Sequence, residues 1–233
     1  MAPLSWKEEA KRRAALASVK HVNDGDVVGL GTGSTALYAI LEIGRMVREE
    51  GLNVLGIPTS EKTRSIAISS GVPLTTLDEH PQPDVAIDGA DQVDEELNMI
   101  KGLGAALTRE KIVDSAAKLL VIVVDETKLT KKLGTGQPLP VEVLPFAIRP
   151  VSNALRRMGG RPVLRRFKSG GRPVQTDNGN FILDVDFGPI DDLKSLEREV
   201  KMIPGVIECG LFLGMADIVY VGCKKGVKKL ERG

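Results

Sequence analysis

Val27-Val28-Gly29-Leu30-Gly31-Thr32-Gly33-Ser34-Thr35-Ala36 is the stretch that decides the fold. Val27 to Leu30, entered from the turn Asn23-Asp24-Gly25-Asp26, reads as a short buried strand. A glycine-rich corner follows. Helical periodicity then runs to about residue 50, where Gly51 suits a C-cap. Working outward, the same alternation repeats. Strands are predicted over 53–57, 72–75, 84–87 and 119–124, and helices over 60–70, closed by Gly71, and 107–117. Upstream, Ser5-Trp6-Lys7-Glu8 has capping-box spacing and opens a helix reaching about residue 22. Strands alternating with helices predict a mostly parallel sheet covered on both faces.

The character changes after about Lys131. Gly134-Thr135-Gly136-Gln137-Pro138 is linker-like. Strand character follows over 141–146, 162–167, 173–176, 181–187 and 206–209, with helices over 151–158 and 193–202. Asp177-Asn178-Gly179-Asn180 is a hairpin turn signal, because Asn-Gly tolerates positive φ. Phe181, Leu183, Val185 and Phe187 alternate onto one face. The order β-α-β-β-α-β predicts a small ferredoxin-like α+β module. A further apolar strand over 217–222 returns to the first sheet, and the basic stretch over 224–233 reads as a solvated tail.

Bulk properties exclude several classes. The 233 residues are 42% hydrophobic and 27% charged, which is ordinary for a globular chain able to bury a core without disulfides or structural metal. A net charge of +1 gives no global field toward nucleic acid or membrane, although a local anion pocket remains compatible with it. Cys209 and Cys223 form no CxxC pair and read as small apolar residues in a reducing compartment. No stretch has the length of an apolar membrane span, and residues 1–13 lack a signal-peptide core, so the expected compartment is the cytoplasm. With only His21 and His80 present, acid–base chemistry falls to carboxylates and lysines.

Four polar clusters stand out, three or four of them following predicted strand ends, the edge where open α/β sheets bind ligands. In the first, glycines let backbone approach a ligand, and N–H groups at a helix N-terminus face an anion. Thr32, Gly33, Ser34 and Thr35 would hold a phosphate or sugar oxygens; the plain alternative is a tight turn. Gly31, Gly33 and Ala36 also fit a dinucleotide fingerprint, but the second strand ends Pro58-Thr59-Ser60 without the acid that would hold a ribose. The second is Asp88-Gly89-Ala90-Asp91, two carboxylates able to face one pocket, or else a solvated turn. The third is Lys101-Gly102-Leu103-Gly104-Ala105-Ala106-Leu107-Thr108-Arg109-Glu110-Lys111. There Glu110 can serve as a base for a C–H beside a carbonyl and Lys101 can steady the oxyanion; otherwise Glu110 pairs with a lysine along its helix. The fourth, Val124-Asp125-Glu126-Thr127-Lys128, offers a mobile cation for a phosphate, or an ordinary surface lysine.

As a set, GTGSTA, DGAD, KGLGAALTREK and VDETK resemble the A-type ribose-5-phosphate isomerases over about residues 7–223. The resemblance implies an α/β chain, with a Rossmann-like parallel-sheet domain over 1–133 and 210–233 and a ferredoxin-like α+β domain over 134–209. It implies interconversion of ribose 5-phosphate and ribulose 5-phosphate through a cis-enediolate, with no metal or organic cofactor, in a homodimer or homotetramer. It implies Glu110 as the shuttling base, with Asp88, Asp91 and Lys101 assisting. Thr32, Gly33, Ser34, Thr35, Gly89, Ala90, Gly102, Leu103, Gly104 and Lys128 complete the substrate site. Many members carry glycine where this chain has Leu103. Three competing readings are a sugar-phosphate sensor, for which no spare DNA-binding helix-turn-helix is visible, a coenzyme A transferase using a nucleophilic glutamate, and a nicotinamide enzyme.

Overall fold

The computed structural model describes residues 5–167 and 170–232. The readings made on Met1 to Leu4 and on Gly233 lie outside the described residues. The chain divides into two compact units. One comprises Met1–Ala90, Arg109–Leu129 and Met215–Gly233; the other comprises Asp91–Thr108 and Thr130–Gly214.

The first unit is built on a six-stranded sheet. Its spatial order is Gly226–Glu231, Ile218–Cys223, Leu120–Asp125, Val85–Gly89, Val27–Leu30 and Leu55–Pro58. Every pairing is parallel except that of the edge strand Gly226–Glu231, which runs antiparallel to Ile218–Cys223. The central strands Val27–Leu30 and Leu120–Asp125 are buried along their whole length. That is why they read as continuous apolar runs rather than alternating ones. The helix Trp6–Ser18 starts where the sequence places it, with the Ser5 hydroxyl accepting from the Glu8 N–H at 3.3 Å. Gly51 and Gly71 close the helices Ala36–Glu50 and Glu61–Ser70 in the left-handed region, φ 74° and 80°. Strand order reverses between Val27–Leu30 and Val85–Gly89, so a crevice is expected outside their carboxyl ends.

The second unit carries a four-stranded antiparallel sheet ordered Val206–Cys209, Leu139–Val143, Phe181–Asp186 and Arg161–Leu164. The helices Ile148–Arg157 and Leu193–Lys201 connect these strands in the predicted β-α-β-β-α-β sequence. Val141, Val143, Leu183 and Val185 form its core with Val151, Leu155 and Val200. The same unit holds a small sheet of Gln92–Val93, Met99–Ile100 and Leu211–Phe212, too short for any periodic signal.

Several expectations are corrected. Residues 72–75 form only a bridge between Gly56 and Leu74, since Pro73 has no N–H to continue a ladder. The predicted strand over 141–146 is Leu139–Val143, and Pro145–Ala147 turns as a 3-10 helix that leaves Phe146 99% exposed. Residues 173–176 contribute isolated bridges rather than a strand. The basic end is not a loose tail, because Gly226–Glu231 adds an edge strand with exposed lysines, a charged edge that discourages further pairing. Among the described residues, no helix is long and apolar enough to cross a membrane.

Candidate active site

The glycine corner and the first aspartate are one construction. Asp88 lies at the carboxyl end of Val85–Gly89 and is fully buried. Its Oδ1 accepts from the Thr32 N–H at 3.0 Å and from the Gly89 N–H at 2.6 Å. A Cβ at Gly31 would overlap this carboxylate, so glycine there is what lets the two strand ends meet. Backbone joins them too, the Gly31 N–H donating to the Ile87 carbonyl at 3.0 Å.

Hydroxyls from the next strand end hold the corner from its other side. Thr59 Oγ1 donates to the Leu30 carbonyl at 3.0 Å and Thr63 Oγ1 to the Gly31 carbonyl at 3.1 Å. The Thr32 hydroxyl lies 2.8 Å from Thr59 Oγ1, 2.8 Å from Ser60 Oγ and 3.0 Å from Thr63 Oγ1. Both polar groups that Thr32 was expected to offer a ligand, N–H and hydroxyl, are therefore engaged within the protein. Gly33 and Ser34 are exposed, and Thr35 precedes Ala36–Glu50 without capping it through its side chain. Among the described residues, the N–H groups of Gly33, Ser34 and Thr35 meet no acceptor. Unused donors at the positive end of a fifteen-residue helix are an arrangement that favours an anion. Where a dinucleotide enzyme would place its ribose-binding acid, this chain has Thr59 and Ser60. The nearest acid, Glu61, pairs with Arg109 at 3.1 Å.

In the second unit, Asp91 and the segment after Lys101 are tied together. The Asp91 N–H donates to the Ile100 carbonyl at 2.8 Å, and its Oδ2 accepts from the Leu103 N–H at 2.9 Å. Lys101 is 1% exposed, an extreme value for a lysine, and its Nζ lies 5.2 Å from the centre of the Phe212 ring. Gly102 has φ 114° and Ala105 φ 59°, so the backbone coils tightly before the next helix. Arg165 spans the loop: one guanidinium nitrogen donates to the Gly102 carbonyl at 2.7 Å and the Leu103 carbonyl at 3.1 Å. Asp184 holds the same guanidinium from behind, with Nε donating to it at 2.9 Å. Leu103 thus spends its N–H on Asp91 and its carbonyl on Arg165, and its side chain is half exposed.

Glu110 stands in the first turn of Leu107–Ala116 and is 4% exposed, not the solvated helix glutamate that its neighbours Arg109 and Lys111 would suggest. Lys128 is half buried on the 3-10 turn Glu126–Lys128, just past Leu120–Asp125, where Asp125 caps the turn by accepting from the Thr127 N–H at 3.0 Å. Gly89 ends the strand Val85–Gly89, and Ala90 and Gly104 lie in connecting backbone. Sequence reasoning missed Thr59, Ser60 and Thr63, and also Arg165. Thr59 and Ser60 were signalled by their place just past a strand end and Thr63 by its place in the first turn of the helix that follows; Arg165, far away in sequence, had no signal.

Residues 55–226 match the profile of the family described as ribose 5-phosphate isomerase A (phosphoriboisomerase A). The chain belongs to this family. It is 54% identical over 221 residues to the ribose-5-phosphate isomerase A of Methanothermobacter thermautotrophicus, covering 95% of this chain and 97% of that relative. The solved ribose 5-phosphate isomerase A of Methanocaldococcus jannaschii superimposes with a TM-score of 0.92 at 51% identity, over 96% of this chain and 99% of that one. A D-ribose-5-phosphate isomerase solved in complex with phospho-erythronic acid does so with a TM-score of 0.94 at 45% identity, over 97% and 99%. The mixed α/β fold described above is the one these solved relatives share.

Proposed function

We propose that this chain interconverts D-ribose 5-phosphate and D-ribulose 5-phosphate through a cis-enediolate. The observation that carries the reading is membership of the isomerase family at about half identity over nearly the whole chain, with no large part of either partner unmatched. The relative bound to phospho-erythronic acid, a phosphorylated sugar acid, supports the same substrate class.

The residues divide the chemistry as follows. Glu110, withdrawn from solvent, removes the proton at C2 of the open aldose and returns it at C1, on one face, so a single base suffices. A well-placed base of this kind contributes roughly 10²–10⁴-fold. Lys101 stabilises the developing enediolate oxygen, an interaction worth about 3–4 kcal/mol for one good donor in a dry site. Asp88 and Asp91 assist ring opening and proton movement among the oxygens. The cradle at Gly33, Ser34 and Thr35, with Gly102, Leu103, Gly104 and Lys128, holds the sugar phosphate, and this remote anion supplies binding energy for the step. The reading carries with it a homodimer or homotetramer, checked by light scattering, and the cytoplasm as compartment.

Ketose formation from ribose 5-phosphate, followed with EDTA present and with Glu110→Gln alongside, tests it. Wild type is expected to turn over in EDTA and the variant to lose at least about 10²-fold in kcat. A folded wild type that binds the sugar phosphate without turnover would favour the sensor reading. An unimpaired Glu110→Gln would keep the reaction and move the base elsewhere.

A further inference from the structure

Glu142 is a fully buried carboxylate that the mechanism above does not use. It sits in the strand Leu139–Val143 of the antiparallel sheet, on the face opposite the core residues Leu139, Val141 and Val143. Burying a carboxylate is costly unless its oxygens are supplied with donors. Here four are supplied. Oε1 accepts from Thr176 Oγ1 at 2.9 Å, Asn178 Nδ2 at 3.1 Å and Asn180 Nδ2 at 2.8 Å, all in or beside the Asn-Gly turn. Oε2 accepts from Thr108 Oγ1 at 2.5 Å. Thr108 lies in the first turn of Leu107–Ala116, two residues before Glu110.

We infer that Glu142 is a positioning residue for Glu110, acting through Thr108. The inference rests on Glu110 being the base. At 3.6 residues per turn, Thr108 and Glu110 are about 200° apart around the helix axis. Pinning Thr108 therefore fixes the rotation of the first turn and with it the direction in which Glu110 points. The bond from Thr108 is the charge-assisted, short kind whose geometry is tightly defined. The turn 176–180 occupies the other oxygen with three donors, so the carboxylate stays held when one of them is lost.

The experiment compares Thr108→Val and Thr108→Ser with Thr176→Val. Thr108→Val removes the hydrogen bond from the helix to Glu142. Thr176→Val removes a donor from the opposite side of the same carboxylate. It also removes the acceptor of the Asn178 and Asn180 N–H groups, so it destabilises the protein at least as much. The expected result for Thr108→Val is a kcat lowered about tenfold or more with KM within about twofold, because misplacing a catalytic group costs rate rather than binding. Thr108→Ser is expected to restore kcat, and Thr176→Val to lower Tm while leaving kcat within about twofold of wild type. Thr108→Ala stands in if Thr108→Val does not fold. An unchanged kcat in Thr108→Val, or equal loss in Thr176→Val, overturns the inference in favour of a purely structural hub. Glu110→Gln separates the two levels. If it stays active, the base assignment itself fails. If it is inactive while Thr108→Val behaves as wild type, only the anchoring fails.

Discussion

Gly31→Ala isolates the close approach on which the corner depends. The new Cβ would stand 2.5 Å from the Asp88 Cα and overlap the Asp88 carboxylate, against 3.4 Å or more for an ordinary contact. Because one obstacle is backbone, rotating a side chain cannot relieve it, and the ends of Val27–Leu30 and Val85–Gly89 must separate. Overpacking of this sort costs about 1–3 kcal/mol, and a backbone obstacle puts it near the top of that range. At about 2–4 °C per kcal/mol for a chain of this size, Tm should fall by roughly 4–12 °C. The displacement also breaks the Thr32 N–H to Asp88 bond, so kcat/KM should fall about tenfold or more. Gly33→Ala is the control for stability alone. Gly33 has φ 144° but open space around its Cβ position, so only backbone strain of about 1–2 kcal/mol applies. Thermal unfolding and a ketose-formation assay on both variants decide the matter. If Gly31→Ala melts no lower than Gly33→Ala and keeps the kcat/KM of wild type, the close approach is not what demands glycine at 31.

Arg165→Met should raise KM severalfold by releasing the Gly102 and Leu103 carbonyls, and cost about 1–3 kcal/mol by leaving Asp184 without its guanidinium. Adding Asp184→Asn should recover part of that stability in denaturant titrations while KM stays high; recovery of both would contradict the loop-holding role. His21 bonds to the Tyr220 hydroxyl at 2.9 Å, and burial, followed by Lys229, lowers its pKa. A lowered folded pKa means the unfolded chain binds the proton more readily. The contribution is therefore full above the unfolded value of about 6.5 and is lost as pH falls through it toward the folded one. Stability measured from pH 8 to 5 should decline in wild type and flatten in His21→Gln; parallel profiles would remove His21 from the explanation.

The strand–glycine–helix alternation was legible because buried parallel strands must be apolar throughout and their helices must close at residues that tolerate positive φ. Gly51 and Gly71 mark those ends without reference to anything distant. The β-α-β-β-α-β order of the second unit was legible for the same local reasons. The short strands Gln92–Val93, Met99–Ile100 and Leu211–Phe212 were not, since two residues carry no period and the pairing of Leu211–Phe212 with Met99–Ile100 joins segments more than a hundred residues apart.

The candidate site divides along the same line. By itself, the sequence determined that DGAD and the glycine corner stand at strand ends, and that Glu110 begins a helix, because these follow from local backbone preference. Only the tertiary structure decided that the Thr32 hydroxyl belongs to Thr59, Ser60 and Thr63, that Arg165 holds the loop after Lys101, and that Glu142 receives Thr108. Each of those is a hydrogen bond between polar groups remote in sequence. A polar side chain's partner is set by which burial leaves it no water, and that is a property of the packed chain rather than of any segment.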